Sequence, residues 1–296
     1  MRKIAFIVNP KSGQGRRLNR AELIRQSLPS GAACDILLWE KPEQKDQLFR
    51  QALEGDYDTI AACGGDGTVN MVAAAVAKAS AAGLTKSLAI IPFGSGNGLA
   101  RHLGIPLETK KAVELAYSGT LRSIDVCALQ DKPFFCTAGV GFDAHIGKLF
   151  AESRFRGMIS YAGMTLKEVI RYKPATYTLT VDGKTQPPLS AFLIAFANAA
   201  QYGGDAYVAP LADIQDGIID ITIIHPFPLL LGLPVVFRMF AGSLQHSRHV
   251  TLLKGKHIVL ERQKPGPVHY DGEPDMMGTR LEITIQPGAL SVITPV

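Results

Sequence analysis

The sequence predicts two domains, an N-terminal α/β domain built on a parallel sheet and a C-terminal β-rich sandwich with inserted helices. Three observations lead there. Short apolar runs alternate with stretches of helical spacing over roughly the first 124 residues, three glycine-punctuated loops each follow such a run, and beyond Asp125 the chain reads mainly as short strands. The boundaries are read as 1–124, rejoined by 289–296, for the first domain and 125–288 for the second.

Residues 4–8, 34–39, 59–63 and 87–93 are apolar runs of strand length, and Leu18, Ala21, Ile24 and Leu28 carry helical spacing between the first two. The run 4–8 follows the basic pair Arg2-Lys3, as in a signal peptide. It is too short for one and leads straight into a glycine loop, so it reads as a buried strand. After Gly67 the alanine-rich segment from Thr68 sets Val69, Val72 and Val76 at helical spacing, and Gly83 ends it. A repeated β-then-α order implies a parallel sheet covered by helices, and ligands collect at the carboxyl ends of its strands.

In the second half, Thr176-Tyr-Thr-Leu-Thr-Val-Asp-Gly alternates threonine with apolar residues and closes on an Asp-Gly turn, as a hairpin strand does. Further strands are read at 190–198, 218–224, 257–262, 280–285 and 290–294. A helix is read over 157–172, carrying Met158, Tyr161, Leu166, Val169 and Ile170. The segment 227–245 includes Leu229-Leu-Leu-Gly-Leu-Pro-Val-Val-Phe; it holds Pro234 and Arg238 and is barely long enough to span a bilayer. It either packs on the sheet or meets a membrane surface.

With 47% hydrophobic and 19% charged residues, the composition is that of a soluble globular chain. Cys34, Cys63, Cys127 and Cys136 are scattered, which points to buried thiols in a reducing cytoplasm rather than disulfides or zinc. A net charge of +5 without a dense Lys/Arg block argues against a nucleic-acid partner. Between Arg238 and Lys264, however, six Lys/Arg face a single acid, Glu261, among Leu, Val and Phe. That mixture is either a solvated rim or a contact with anionic lipid at the inner face of the membrane.

The three loops are Asn9-Pro-Lys-Ser-Gly13, Gly64-Gly-Asp-Gly-Thr-Val-Asn70 and Pro92-Phe-Gly-Ser-Gly-Asn97. Each precedes a helix-like stretch, so each can aim backbone N–H groups and a positive helix end at a phosphate chain. The first, taken alone, can also be a simple strand-to-helix connection. The second is more specific, because three glycines around Asp66 let the backbone approach a polyanion while the carboxylate serves Mg²⁺ or fixes the loop. It lacks the Gly-Lys-Ser/Thr ending of a Walker loop.

Together with Asn198, Gly203-Gly204, Ala209-Pro210, Asp216-Gly217, Asp220 and His269-Tyr-Asp271-Gly-Glu273, these loops resemble the diacylglycerol kinase catalytic-domain family, to which sphingosine and ceramide kinases are related. The resemblance covers nearly the whole chain. It implies an ATP- and Mg²⁺-dependent lipid kinase, with ATP and a diacylglycerol-like or sphingoid lipid meeting in a cleft between the two domains. By the same resemblance ATP is held by Asn9, Ser12 and Gly13, by Gly64, Gly65, Asp66, Gly67, Thr68, Val69 and Asn70, and by Ser95, Gly96 and Asn97. Asp271 is the proton acceptor, with Glu273 completing its motif, and Asp125 joins a water network toward the catalytic Mg²⁺. Asp213, Asp216 and the carbonyl of Ile218 would hold a structural Mg²⁺; a solvated acidic turn is the alternative.

Two departures stand out. Gly98 occupies a position where many bacterial diacylglycerol kinases carry aspartate, and Trp39 stands where relatives place a threonine that contacts ATP; Trp39 either stacks on adenine or belongs to the core. Two rival readings remain, an NAD kinase and a lipid or nucleotide sensor with decayed chemistry, and a homodimer is left open.

Overall fold

The computed structural model describes residues 2–10, 19–152, 164–165, 167–228 and 232–296. Ser12 and Gly13 of the first loop, the helix positions Met158, Tyr161 and Leu166, and Leu18 and 229–231 lie outside them. The chain divides into two compact units, one of Met1–Val126 with Pro287–Val296 and one of Cys127–Gln286.

The first unit contains β1 (Ile4–Val8), α1 (Arg20–Ser27), β2 (Cys34–Leu38), α2 (Lys45–Glu54), β3 (Thr59–Gly64), α3 (Asp66–Ala81), β4 (Ser87–Pro92), α4 (Gly98–His102) and α5 (Thr109–Ser118). From there β5 (Thr120–Leu129) leads into the second unit, with β6 (Lys132–Phe134), β7 (Thr137–Gly141), α6 (Phe142–Glu152), β8 (Ala175–Val181), β9 (Lys184–Thr185), β10 (Leu189–Ala191), β11 (Leu193–Ala197) and β12 (Ile219–Ile224). Then come α7 (Gly232–Phe240), β13 (Val250–Gly255), β14 (His257–Arg262), β15 (Gly266–Tyr270), β16 (Glu273–Met277) and β17 (Arg280–Thr294), whose last residues return to the first unit.

In the first unit the strands lie in the order β17-β4-β3-β1-β2, all parallel. Every residue of β1, β3 and β4 is buried, as expected of strands covered on both faces. Ile24 of α1, Val113 of α5 and Ile293 of β17 close over Phe6, Ala61 and Ile91, and each such side chain contributes about 1.5–3 kcal/mol by leaving water. Helix α3 is alanine-rich and ends at Gly83, whose φ of +88° lets the Leu84 N–H turn back to the Ala79 carbonyl.

The second unit is a β-sandwich. One sheet runs β10-β8-β14-β17, and the other runs β13-β12-β11-β7-β15-β16 with antiparallel neighbours. Leu179, Leu260 and Ile283 of the first meet Val140, Phe196 and Ile221 of the second in one core. Asp182 and Gly183, with φ of +47° and +79°, form the hairpin turn anticipated after Val181.

Three readings of the sequence need correcting. The single strand expected at 190–198 is two, because the Phe192 N–H bonds to the Ile224 carbonyl and the chain passes there from one sheet to the other. The two strands expected at 280–285 and 290–294 are one, carried through Gly288 at φ +61° by the buried Asp125, whose Oδ1 accepts the Gly288 N–H at 2.7 Å. Helix α6 was not anticipated, although Phe142, Ile146 and Phe150 recur every four residues; Gly141 and Asp143 at its start read as a turn.

Candidate active site

The glycine loops begin at the carboxyl ends of β1, β3 and β4, and hydrogen bonds braid them together. Asn9 Nδ2 donates to Thr68 Oγ1 at 3.0 Å, which ties the first loop to the start of α3. Arg20 donates to the Asn9 carbonyl at 2.9 Å and sits over the Phe93 ring of the third loop. Asp66 then joins the second loop to the third, its Oδ2 accepting the Asn97 N–H at 2.9 Å and its Oδ1 the Gly98 N–H at 2.7 Å. Of the two roles open to this carboxylate, fixing the loop is the one its contacts support. Position 98 contributes an amide to the junction rather than a side chain.

Close backbone approach completes the braid. A Cβ on Gly94 would stand 2.7 Å from the Gly65 Cα, and one on Gly64 would stand 2.5 Å from Thr68 Oγ1, so neither position has room for a side chain. Asn97, in the left-handed region at φ +51°, brackets the turn by accepting the Gly94 N–H at 3.0 Å and donating to the Gly94 carbonyl at 2.8 Å.

What this rigid frame presents is the start of a sixteen-residue helix. The first intrahelical bond of α3 runs from the Val69 N–H to the Gly65 carbonyl, so the amides of Asp66, Gly67 and Thr68 precede the ladder at the positive end of the helix dipole. Such an end binds anions. The side chains of Thr68, Val69 and Asn70 are buried, so any contact these three make with a nucleotide runs through the backbone. Ser95 is exposed and Gly96 half-buried. Trp39, half-buried, leaves β2 beside the first loop, its N–H on the Val8 carbonyl, and packs edge-on against Phe49.

In the second unit Asp271 and Gly272, with φ of +46° and +82°, make the tight turn between β15 and β16. The Asp271 carboxylate accepts three backbone N–H groups, from Phe135 at 2.8 Å to Oδ2 and from Cys136 and Thr137 at 2.8 and 3.1 Å to Oδ1. Its own N–H donates to the Thr137 carbonyl at 2.8 Å. Charge-assisted bonds of this kind fix a carboxylate in one orientation. Glu273 is exposed at the start of β16.

Three side chains that support this turn, Asp143, Tyr202 and Arg262, escaped the sequence reading. His269, 5% exposed, meets Asp143 Oδ2 at 2.9 Å through its Nε2, and the Tyr202 hydroxyl donates to the same oxygen at 2.7 Å. Below the hairpin, Arg262 donates to the carbonyls of Gly266, Pro267, Met277 and Gly278, and burial lowers its pKa from the ordinary value. A cavity of about 440 Å³ opens beside Gly141, His145, Tyr172, Tyr177 and Arg262, and burial raises the pKa of both tyrosines.

Asp213 and Asp216 share one turn, with Asp213 Oδ1 accepting the Gln215 N–H at 3.0 Å and Asp216 Oδ1 the Ile218 N–H at 2.9 Å. Two carboxylates and a carbonyl oxygen are a donor set that suits a hard cation. Lys254 Nζ already stands 3.7 Å from Asp216 Oδ2 and 3.1 Å from Asp220 Oδ2, so a cation there competes with an ammonium. Burial raises the Asp220 pKa, and Lys254 opposes that shift. Among the described residues no group of three or more His, Cys, Asp or Glu side chains is placed to hold a metal.

Residues 3–129 match the family model of the diacylglycerol kinase catalytic domain, and residues 136–294 match that of the YegS C-terminal NAD kinase beta sandwich-like domain. The chain is 31% identical over 252 residues to a protein named "Probable lipid kinase YegS-like" from Chromohalobacter salexigens, covering 84% of this chain and 80% of that one. It is 28% identical over 302 residues to a diacylglycerol kinase of Mycobacterium tuberculosis, covering 99% and 95%. Among solved structures, a diacylglycerol kinase from Bacillus anthracis superposes with a TM-score of 0.74 at 21% identity, covering 99% of this chain and 97% of that one. An NAD kinase from Archaeoglobus fulgidus, solved with ATP, shares the fold more distantly, with a TM-score of 0.51 at 14% identity over 98% and 93%. The chain thus belongs to the diacylglycerol kinase catalytic-domain family, in the form that carries a YegS-type C-terminal sandwich, and is a kinase.

Proposed function

We propose that this kinase transfers the γ-phosphate of Mg²⁺·ATP to a primary hydroxyl of a diacylglycerol-like or sphingoid lipid. The observation that carries the reading is the braid of three loops, which holds the amides of Asp66, Gly67 and Thr68 at the end of α3 as a phosphate cradle. Phosphoryl transfer passes through a loose transition state, so the protein's task is positioning and charge stabilisation. The hydroxyl oxygen bonds to the γ-phosphorus, the bond to the bridging oxygen breaks and ADP departs. The hydroxyl proton passes to the Asp271 carboxylate as the O–P bond forms. Phe135, Cys136 and Thr137 hold that carboxylate still, while Asp143 and Tyr202 hold His269 in the strand before it.

Incubation with γ-labelled ATP, Mg²⁺ and total cellular lipid should place label in the organic phase, where mass spectrometry identifies the acceptor. Label confined to NADP would instead support the NAD kinase reading.

Asp213, Asp216 and the Ile218 carbonyl would hold a structural Mg²⁺, with no part in the transfer itself. Without nucleotide, Mg²⁺ should raise the melting temperature of the wild-type protein by a few degrees and leave Asp216→Ala unmoved, as expected when a ligand binds only the folded state. A wild-type melting temperature indifferent to Mg²⁺ would remove the site.

A further inference from the structure

Helix α7 is apolar on its outward face as well as its inward one. Val235 and Met239 face inward, packing with Leu193, Val208 and Leu244. The remaining face carries Leu233, Val236, Phe237 and Phe240, which are 79%, 47%, 73% and 55% exposed. At 3.6 residues per turn these four positions form one stripe along the helix. A helix apolar on both faces ordinarily belongs in a core or in lipid.

The chain segment that carries the stripe holds charge of one sign. No Asp or Glu occurs between Asp220 and Glu261. Arg238 flanks the stripe on the helix itself, and its carbonyl accepts the Ser243 N–H at the start of the turn that carries His246, Arg248 and His249. Lys254, in contrast, is engaged with Asp216 and Asp220.

We infer that α7 is a membrane-docking element, lying in the plane of a bilayer with its four apolar side chains among the acyl chains and Arg238 and Arg248 at anionic headgroups. Nine residues rise only about 14 Å, far short of the ~30 Å hydrocarbon core, and no helix among the described residues is long and apolar enough to cross a membrane. A helix of this kind lies in the interface. A second copy of the chain is the poorer occupant, because a two-fold contact would bring Arg238 and Arg248 toward their own equivalents, and the segment from 221 to 260 that would make the contact carries no acid to offset them.

The inference takes from the proposed function only that the acceptor is a membrane lipid, and its test contains no ATP, so either can fail without the other. Full-length protein is sedimented with vesicles of phosphatidylglycerol and phosphatidylcholine, or of phosphatidylcholine alone. Wild type should bind the anionic vesicles more tightly, and the pair Phe237→Asp with Phe240→Asp should weaken binding at least about tenfold with the melting temperature unchanged. The pair Arg238→Gln with Arg248→Gln should erase the preference for anionic lipid. In a second measurement, Phe237→Trp on a Trp39→Phe background should shift its fluorescence to the blue on anionic vesicles. Equal binding by wild type and the aspartate pair, no binding by wild type, or an unshifted emission from the Phe237→Trp protein would overturn the inference. So would a wild-type dimer that Phe237→Asp dissolves without any vesicle binding.

Discussion

Replacing Asp271 with asparagine should lower turnover at least about a hundredfold, the scale on which a general base acts. Asparagine is the informative choice, because it tolerates the left-handed backbone at φ +46° that most residues resist. Its amide keeps one acceptor oxygen but turns an NH₂ toward an N–H donor of Phe135, Cys136 or Thr137. That mismatch should cost roughly 1–3 kcal/mol of stability, which a melting curve records separately from the kinetics. The glycine loops proposed to hold ATP belong to the other unit, so KM for ATP should change little. A folded Asp271→Asn protein with near-normal turnover would sink the assignment of Asp271 as proton acceptor.

Asp66→Ala should act on the opposite substrate. It removes the two side-chain bonds that tie the third loop to the second, at Asn97 and Gly98, leaving the backbone bond from the Phe93 N–H to the Gly64 carbonyl, and bonds to a charged partner are worth about 1.5–3 kcal/mol each. With the loop released, the amide cradle loses its registration. KM for ATP should rise at least about tenfold, since each 1.4 kcal/mol of lost binding is a factor of ten. Thermal denaturation should report the stability loss directly. Unchanged stability together with unchanged KM would show that Asp66 does not hold the loops.

What could be read from the sequence follows from how local each signal is. The β-then-α alternation put the loops at the carboxyl ends of β1, β3 and β4, because each strand and its following glycine turn lie within a dozen residues. The Asp-Gly hairpin after Val181 was legible for the same reason. Asp143 was not legible, since its partners Tyr202 and His269 reach it from distant segments and its neighbours look like an ordinary turn. Arg262 escaped because its partners are backbone carbonyls, which leave no mark on the identity of Gly266, Met277 or Gly278. The outward stripe on α7 was likewise hidden: periodicity marks Leu233, Val236, Phe237 and Phe240 as a face, and burial alone tells which way that face points.

Strand β17 also constrains how the chain is made. Val292 supplies the parallel neighbour of Leu88, Ile293 fills the core beside Val113, and the Thr294 carbonyl accepts the Thr120 hydroxyl. On a ribosome the first unit therefore emerges early but remains one strand short until synthesis has passed residue 294. Its open edge beside β4 is an invitation to mispairing throughout that interval, as unpaired strand edges are in nascent chains. Completion waits for the whole sandwich to be translated, so the sheet that carries the glycine loops is finished only after the unit that carries Asp271 exists.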